Sequence, residues 1–154
     1  MKKRYGFICL IILLLLIGVL GPRVDTTISL GTISLPSDLD LYLIASETEF
    51  DDITEGTEKK IVWAKEANQK TPISVVSFHG FSATRQELSP LADIVAKSLN
   101  ANLFYTRLAG HGRGSAGMIQ GSVNKWANDA NEAIEIGNRI GDKVILIGTS
   151  TGCL

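Results

Sequence analysis

The apolar run Lys143–Gly148, KVILIG, leads directly into Gly148-Thr149-Ser150-Thr151-Gly152. A serine with glycine two positions to either side, at the end of a buried strand, is a pattern that lifts an oxygen nucleophile clear of a sheet. The sharp turn exposes the hydroxyl and aims the next backbone N–H at charge developing beside it. The glycines remove side chains that would strike the neighbouring strand and helix. The chemistry such a serine does is attack on a carbonyl carbon, giving a covalent acyl intermediate. The plainer alternative is a strand–helix turn whose serine caps the helix.

Attack on a carbonyl leaves an oxyanion, and that charge needs two backbone N–H donors. One is the N–H of Thr151, the residue after the serine. The other must come from a loop after an earlier strand. The segment SFHGFSA, residues 77–83, ends such a strand, and its expected donor is the Phe81 N–H beside Gly80. His79 is read as a structural ring that shapes this loop. A third segment, RLAGHG at residues 107–112, places His111 in another post-strand loop. Arg107 and Arg113 are read as solvated, with contact to an anionic substrate group as the alternative.

Gly112-Arg113-Gly114-Ser115-Ala116-Gly117 is a literal G-x-G-x-x-G after a strand. Dinucleotide binding would need a helix starting inside those glycines and an acidic residue at the end of the next strand. The periodic helix begins only near Ser122, and the next strand ends in Gly148-Thr149-Ser150. A flexible loop near the substrate explains the glycines better. No cofactor and no metal are expected.

The elements that must position these residues follow from periodicity. Ile73–Phe78 and Lys143–Gly148 are continuous apolar runs, as strands covered on both faces should be. Ala101–Ala109 reads as the strand between them. Leu88, Leu91, Ala92, Val95 and Leu99 recur at helical spacing. That helix starts either at a Thr84–Glu87 capping box or at Ser89-Pro90. Val123, Trp126, Ala130, Ile134, Gly137 and Ile140 mark a second helix, ended by Gly141. Upstream, residues 22–36 read as a linker running into a short strand. Ser37 is a candidate cap for a helix carrying Leu39, Tyr42, Leu43 and Phe50. Residues 51–60 are a polar loop, and Lys60–Glu66 is a short strand candidate. Strands alternating with one-sided helices predict a mostly parallel α/β sheet, helices on both faces, with ligand chemistry at the strand carboxyl ends.

The first residues belong to another regime. Lys2, Lys3 and Arg4 precede an apolar run from Gly6 to Gly21. This reads as an uncleaved signal anchor, or else a cleaved signal peptide, in residues 1–24. Residues 6–21 would meet the membrane, and the rest would be exported to the periplasmic or extracellular side. Residues 25–59 then form a linker region and 60–154 the domain. A net charge of −1 gives no electrostatic case for nucleic acid. The two cysteines, Cys9 and Cys153, suggest neither a disulfide framework nor a metal site.

The order strand, HG-aromatic loop, helix, strand, RLAGHG, helix, strand, GxSxG resembles the α/β-hydrolase superfamily, closest to its esterase, lysophospholipase and monoacylglycerol lipase group. The resemblance spans about residues 60–154. It implies Ser150 as nucleophile, Phe81 and Thr151 as oxyanion donors, and an ester or lipid substrate. It also implies that His79, Gly80, His111, Gly148 and Gly152 build the elbow and its loops. WANDANEA, residues 126–133, is similar to the helix before the nucleophile strand, with Asp129 structural or solvated. Such enzymes order their triad as serine, acid, histidine, yet only Thr151–Leu154 follow Ser150. The expectation is therefore the N-terminal half of a hydrolase sheet, truncated after its elbow and inactive. A non-catalytic membrane-tethered module is the rival expectation. Within the enzymes, a peptidase or an acyltransferase stays open.

Overall fold

The computed structural model describes residues 2–154, with side chains from Tyr5 onward. Helix α1, Lys2–Leu20, is followed by an extended stretch and by α2, Leu39–Glu47. Strand β1, Lys60–Val62, and strand β2, Thr71–Phe78, come next. A 3-10 turn at Arg85–Glu87 then leads to α3, Ser89–Leu99, and β3, Asn102–Tyr105. The short α4, Gly114–Gly117, and a 3-10 turn precede α5, Val123–Ile140, and β4, Gly141–Gly148. A last 3-10 turn covers Ser150–Cys153.

The four strands pair in the order β1-β3-β2-β4. β2 lies parallel to both neighbours, with Val75 opposite Leu103 and Ile145. β1 runs antiparallel to β3. This is a mixed, mostly parallel α/β sheet with helices on both faces. Alternation along β2 divides the core. Val75 packs with Leu103, Tyr105 and the Ala92 and Ala96 of α3. Val76 and Phe78 point the other way, against Ala133, Ile136 and Ile140 of α5 and Leu39 and Leu43 of α2. Successive crossovers thus lie on opposite faces, which opens a crevice at the strand carboxyl ends. α5 comes close because Gly137 has no Cβ; one there would lie 2.7 Å from Val76 Cγ2.

Several boundaries differ from the periodicity. No strand forms in residues 22–36. Its backbone is instead taken up by α5, where Asn124 and Asn128 accept from Ser29 N and Gly31 N, both at 2.8 Å. Asp38, not Ser37, caps α2, accepting from Leu41 N at 3.0 Å. Of the two candidate starts, Ser89-Pro90 opens α3, whereas Thr84 caps only the separate 3-10 turn before it. β3 stops at Tyr105 rather than Ala109, because the Leu108 and Ala109 N–H groups are taken by the His79 ring and the Asp129 carboxylate. β4 is an edge strand, so the expected burial on both faces is not met: Ile145 and Leu146 are exposed.

The side chains of α1 from Tyr5 to Leu20 are all exposed. Among the described residues no helix is long and apolar enough to cross a membrane, so the expected spanning segment is not supported. The side chains of Lys2, Lys3 and Arg4, its expected cationic flank, lie outside the described residues.

One buried ion pair ties α2 to the loop after β3. Arg107 donates Nε and Nη2 to the two Glu47 oxygens at 2.9 and 2.8 Å, and Nη1 to His111 O at 3.1 Å. Both residues are under a tenth exposed. Removing one partner strands a charge in the interior, whereas replacing both does not. Glu47→Ala is expected to lower stability by about 3–5 kcal/mol in urea unfolding at pH 7. Glu47→Leu with Arg107→Met should recover part of that loss. A double variant no more stable than the single one would remove the buried-charge explanation.

Candidate functional site

The post-strand loops of β2, β3 and β4 meet on one rim, with Ser150 following the edge strand β4. β4 ends at Gly148, and Thr149 N still reaches Phe78 O of β2 at 3.2 Å. The chain then turns abruptly, with Gly152 N bonded to Thr149 O at 2.8 Å. Ser150 sits at φ 47°, in the left-handed region that costs a residue with a Cβ about 1 kcal/mol or more. Its side chain is exposed. The two glycines are sterically required. A Cβ on Gly148 would fall on the Gly152 carbonyl. A Cβ on Gly152 would lie 2.5 Å from Phe78 O and 2.8 Å from His79 O. These are backbone atoms with nowhere to move.

The HG loop lies against this turn. A Cβ on Gly80 would be 3.4 Å from both Ser150 Cβ and Thr149 Cγ2, and 3.3 Å from Glu87 Oε2. Glu87 Oε2 accepts the Gly80 N–H at 2.8 Å. Phe81 N and Thr151 N donate to no acceptor among the described residues, which leaves two unengaged N–H groups in the two loops around Ser150.

The His79 ring is buried between two loops, and its tautomer follows from its partners. Leu108 N donates to Nε2 at 3.1 Å, so that nitrogen carries a lone pair. Nδ1 therefore carries the proton and donates to Gly80 O at 2.9 Å. Gly80 O and Phe81 N–H belong to one planar peptide and point to opposite sides. The ring thus sets the direction of the Phe81 N–H through its neighbour's carbonyl. Burial is the main reason that the His79 pKa is pushed down to about 4.

His111 is as deeply buried, with burial again lowering its pKa, and its Nδ1 faces Ala109 O at 3.3 Å. Its Nε2 is buried without a partner among the described residues. The His111 ring stacks at 4.8 Å from His79 and meets Phe81 and Trp126 edge-on at 6.0 and 5.8 Å. No hydrogen bond joins Ser150 to either histidine.

Helix α5 holds the RLAGHG loop at one residue. Trp126 Nε1 donates to Ala109 O at 2.9 Å, and Asp129 Oδ2 accepts Ala109 N at 2.6 Å. Burial raises the Asp129 pKa, so this carboxylate is structural rather than solvated. The Trp-x-x-Asp spacing that puts both groups on one helix face was present in the sequence. Arg107 and Arg113 are not solvated. Arg107 is buried in its pair with Glu47, and Arg113 lies 4.1 Å over the Phe50 ring and binds Asp52 and Gln120. Of the G-x-G-x-x-G glycines, Gly117 lets the loop fold on itself, with Arg113 Cβ 2.6 Å from where its Cβ would be. Gly112, at φ 69°, has Thr57 Oγ1 2.6 Å from where its Cβ would be, and only the four-residue α4 follows. Among the described residues no group of three or more His, Cys, Asp or Glu is disposed to hold a metal.

Comparison with family models finds no match, and comparison with curated proteins finds none. Among solved structures, 23 chains match. One comes from LipS and LipT, two metagenome-derived lipolytic enzymes, with a TM-score of 0.56 and 25% identity. The alignment covers 65% of this chain and 38% of that one, so this chain spans well under half of that enzyme's length. The sheet and its helices are thus similar to the fold of a lipolytic enzyme, consistent with an α/β-hydrolase-like architecture.

The tautomer of His79 sets a pH dependence. Protonating Nε2 would turn it toward a donor, Leu108 N–H, and break the bond. The folded pKa of about 4 lies below the ordinary value of 6.5, so folding favours the neutral ring. The contribution is intact above pH 6.5 and is lost as pH falls through 4. Stability is expected to fall by up to about 3 kcal/mol across that window. Urea midpoints measured in steps from pH 7 to pH 4 check this, with His79→Gln as the flattened control. Parallel curves for the two proteins would show that His79 is not the source.

Proposed function

We infer that this chain carries the nucleophile half of a serine hydrolase for carboxylic esters, forming an acyl-enzyme on Ser150. The observation that carries the reading is Ser150 at φ 47° between two sterically obligatory glycines, with the HG loop in contact. Resemblance to a lipolytic enzyme supports an ester or lipid substrate. In this reading the Ser150 oxygen attacks the carbonyl carbon, and the Phe81 and Thr151 N–H groups receive the oxyanion. The serine proton goes to a general base that His79 and His111 do not provide. Gly148, Gly152, Gly80, His79 and His111 shape the site without touching the reacting atoms. The cations Lys2, Lys3 and Arg4 ahead of the apolar run Gly6–Gly21 are the ground for proposing export to the periplasmic or extracellular side, which fractionation of expressing cells tests.

The absence of a base among the described residues favours a second reading, a non-catalytic module that keeps the hydrolase-like frame. A peptidase or acyltransferase would share the same nucleophile. An added base separates the first two. In the first reading, imidazole in millimolar concentration supplies the proton acceptor, and a fluorophosphonate probe labels Ser150. The labelled peptide is identified by mass spectrometry, and imidazole is expected to raise the rate about 10-fold or more. Ser150→Ala should be unlabelled. Equal labelling of the two proteins would leave the non-catalytic reading standing.

A further inference from the structure

The geometry points to Glu87 as the positioning residue of the oxyanion loop, acting through the Gly80 N–H. This rests on the reading of Ser150 as a nucleophile. Gly80 needs no Cβ because Ser150 Cβ, Thr149 Cγ2 and Glu87 Oε2 all converge within 3.4 Å of the point where it would be. That closeness has a consequence for flexibility. Glycine is the residue least able to hold its own φ and ψ, so the peptide on each side of it must be held by something else. The peptide after Gly80 is held by its carbonyl, which accepts from His79 Nδ1 at 2.9 Å and from Ala83 N at 3.2 Å. The peptide before it is held by its N–H, whose acceptor is Glu87 Oε2 at 2.8 Å.

Both sides are needed. With the Gly80 N–H released, φ at Gly80 is free, and the peptide that carries the Phe81 N–H is left to the His79 and Ala83 bonds alone. Phe81 cannot resist this by burial, since it is 61% exposed and braced only edge-on, by His111 and Trp126. Glu87 is well placed for the task. It ends the Arg85–Glu87 turn, whose start is capped by Thr84, so its backbone is fixed seven residues from the N–H it holds. The expected capping box is therefore absent: the Glu87 carboxylate turns away from the Thr84 backbone and toward the rim. The role requires an acceptor at that place and does not require a negative charge.

The test compares Glu87→Ala with Glu87→Gln in the full chain. Glutamine keeps an acceptor oxygen of the same reach. With imidazole present, the fluorophosphonate labelling rate at Ser150 should fall about 10- to 100-fold in Glu87→Ala, the scale of a misplaced donor. It should stay within a few-fold of the parent in Glu87→Gln. Amide hydrogen exchange at Gly80 should quicken about 10-fold or more in Glu87→Ala, with Val75 unchanged and Glu87→Gln like the parent. A Glu87→Gln protein as slow as Glu87→Ala would overturn the proposal, since charge would then be the requirement. So would a Glu87→Ala protein that labels and exchanges like the parent. If the parent itself is not labelled, the nucleophile reading fails, and exchange alone decides. Quickening at Gly80 with Val75 unchanged then upholds Glu87 as the anchor of the loop, and its absence overturns it.

Discussion

Everything on the rim depends on one contact between backbones. Gly152, just past the serine, lies against the carbonyls of Phe78 and His79, with no space for a side-chain carbon between them. The contact is possible because β2 and β4 are parallel neighbours whose carboxyl ends finish level, Phe78 opposite Gly148. It sets the place of the HG loop relative to Ser150. It also holds the turn that forces Ser150 to φ 47°, a conformation that a lone turn would relax. A pair of glycines in the sequence is thus the visible sign of two strands sharing one edge.

Around that contact sits a shell of buried polar groups, and nearly every one has a partner on another element. His79 joins the β2 loop to the β3 loop. Trp126 and Asp129 join the β3 loop to α5. Arg107 joins it to α2 through Glu47. Loops cannot pack like helices, so their positions are set by hydrogen bonds, and buried polar groups without partners cost about 1–3 kcal/mol each. The same network explains why neither histidine serves as a proton acceptor. His79 spends both nitrogens on backbone, and His111 is enclosed by Phe81, Trp126 and His79. Rigidity of the site and availability of its rings are in opposition, and here rigidity prevails.

The segment between α1 and α2 shows a different solution to the same bookkeeping of polar groups. An extended backbone without a partner strand must still satisfy its N–H and C=O groups. Asn124, Asn128 and Asn131, spaced along one face of α5, stand in for that strand and take both donors and acceptors of Ser29 and Gly31. The β-branched composition of residues 22–36 does favour extension. Which partner it finds depends on what the fold brings near it.

Apolar periodicity alone determined the alternation of strands and helices and the sharing of one rim by the HG, RLAGHG and GxSxG loops. These are local consequences of burial, since a run such as ISVVSF is tolerated only where both faces are covered. Glycine spacing determined the turn at Ser150, because no other residue fits there. Strand ends were less legible: Leu108 and Ala109 continue the apolar composition of β3, but His79, Asp129 and Trp126 take their backbone away from the sheet. The partners of charged residues were not legible at all. Arg107 read as solvated until α2 folds over the β3 loop and buries it against Glu47, sixty positions away. Glu87 read as half of a capping box until the β2 loop offered it the Gly80 N–H. A side chain's chemistry is local, but its partner is chosen by which backbones the tertiary fold leaves unsatisfied beside it.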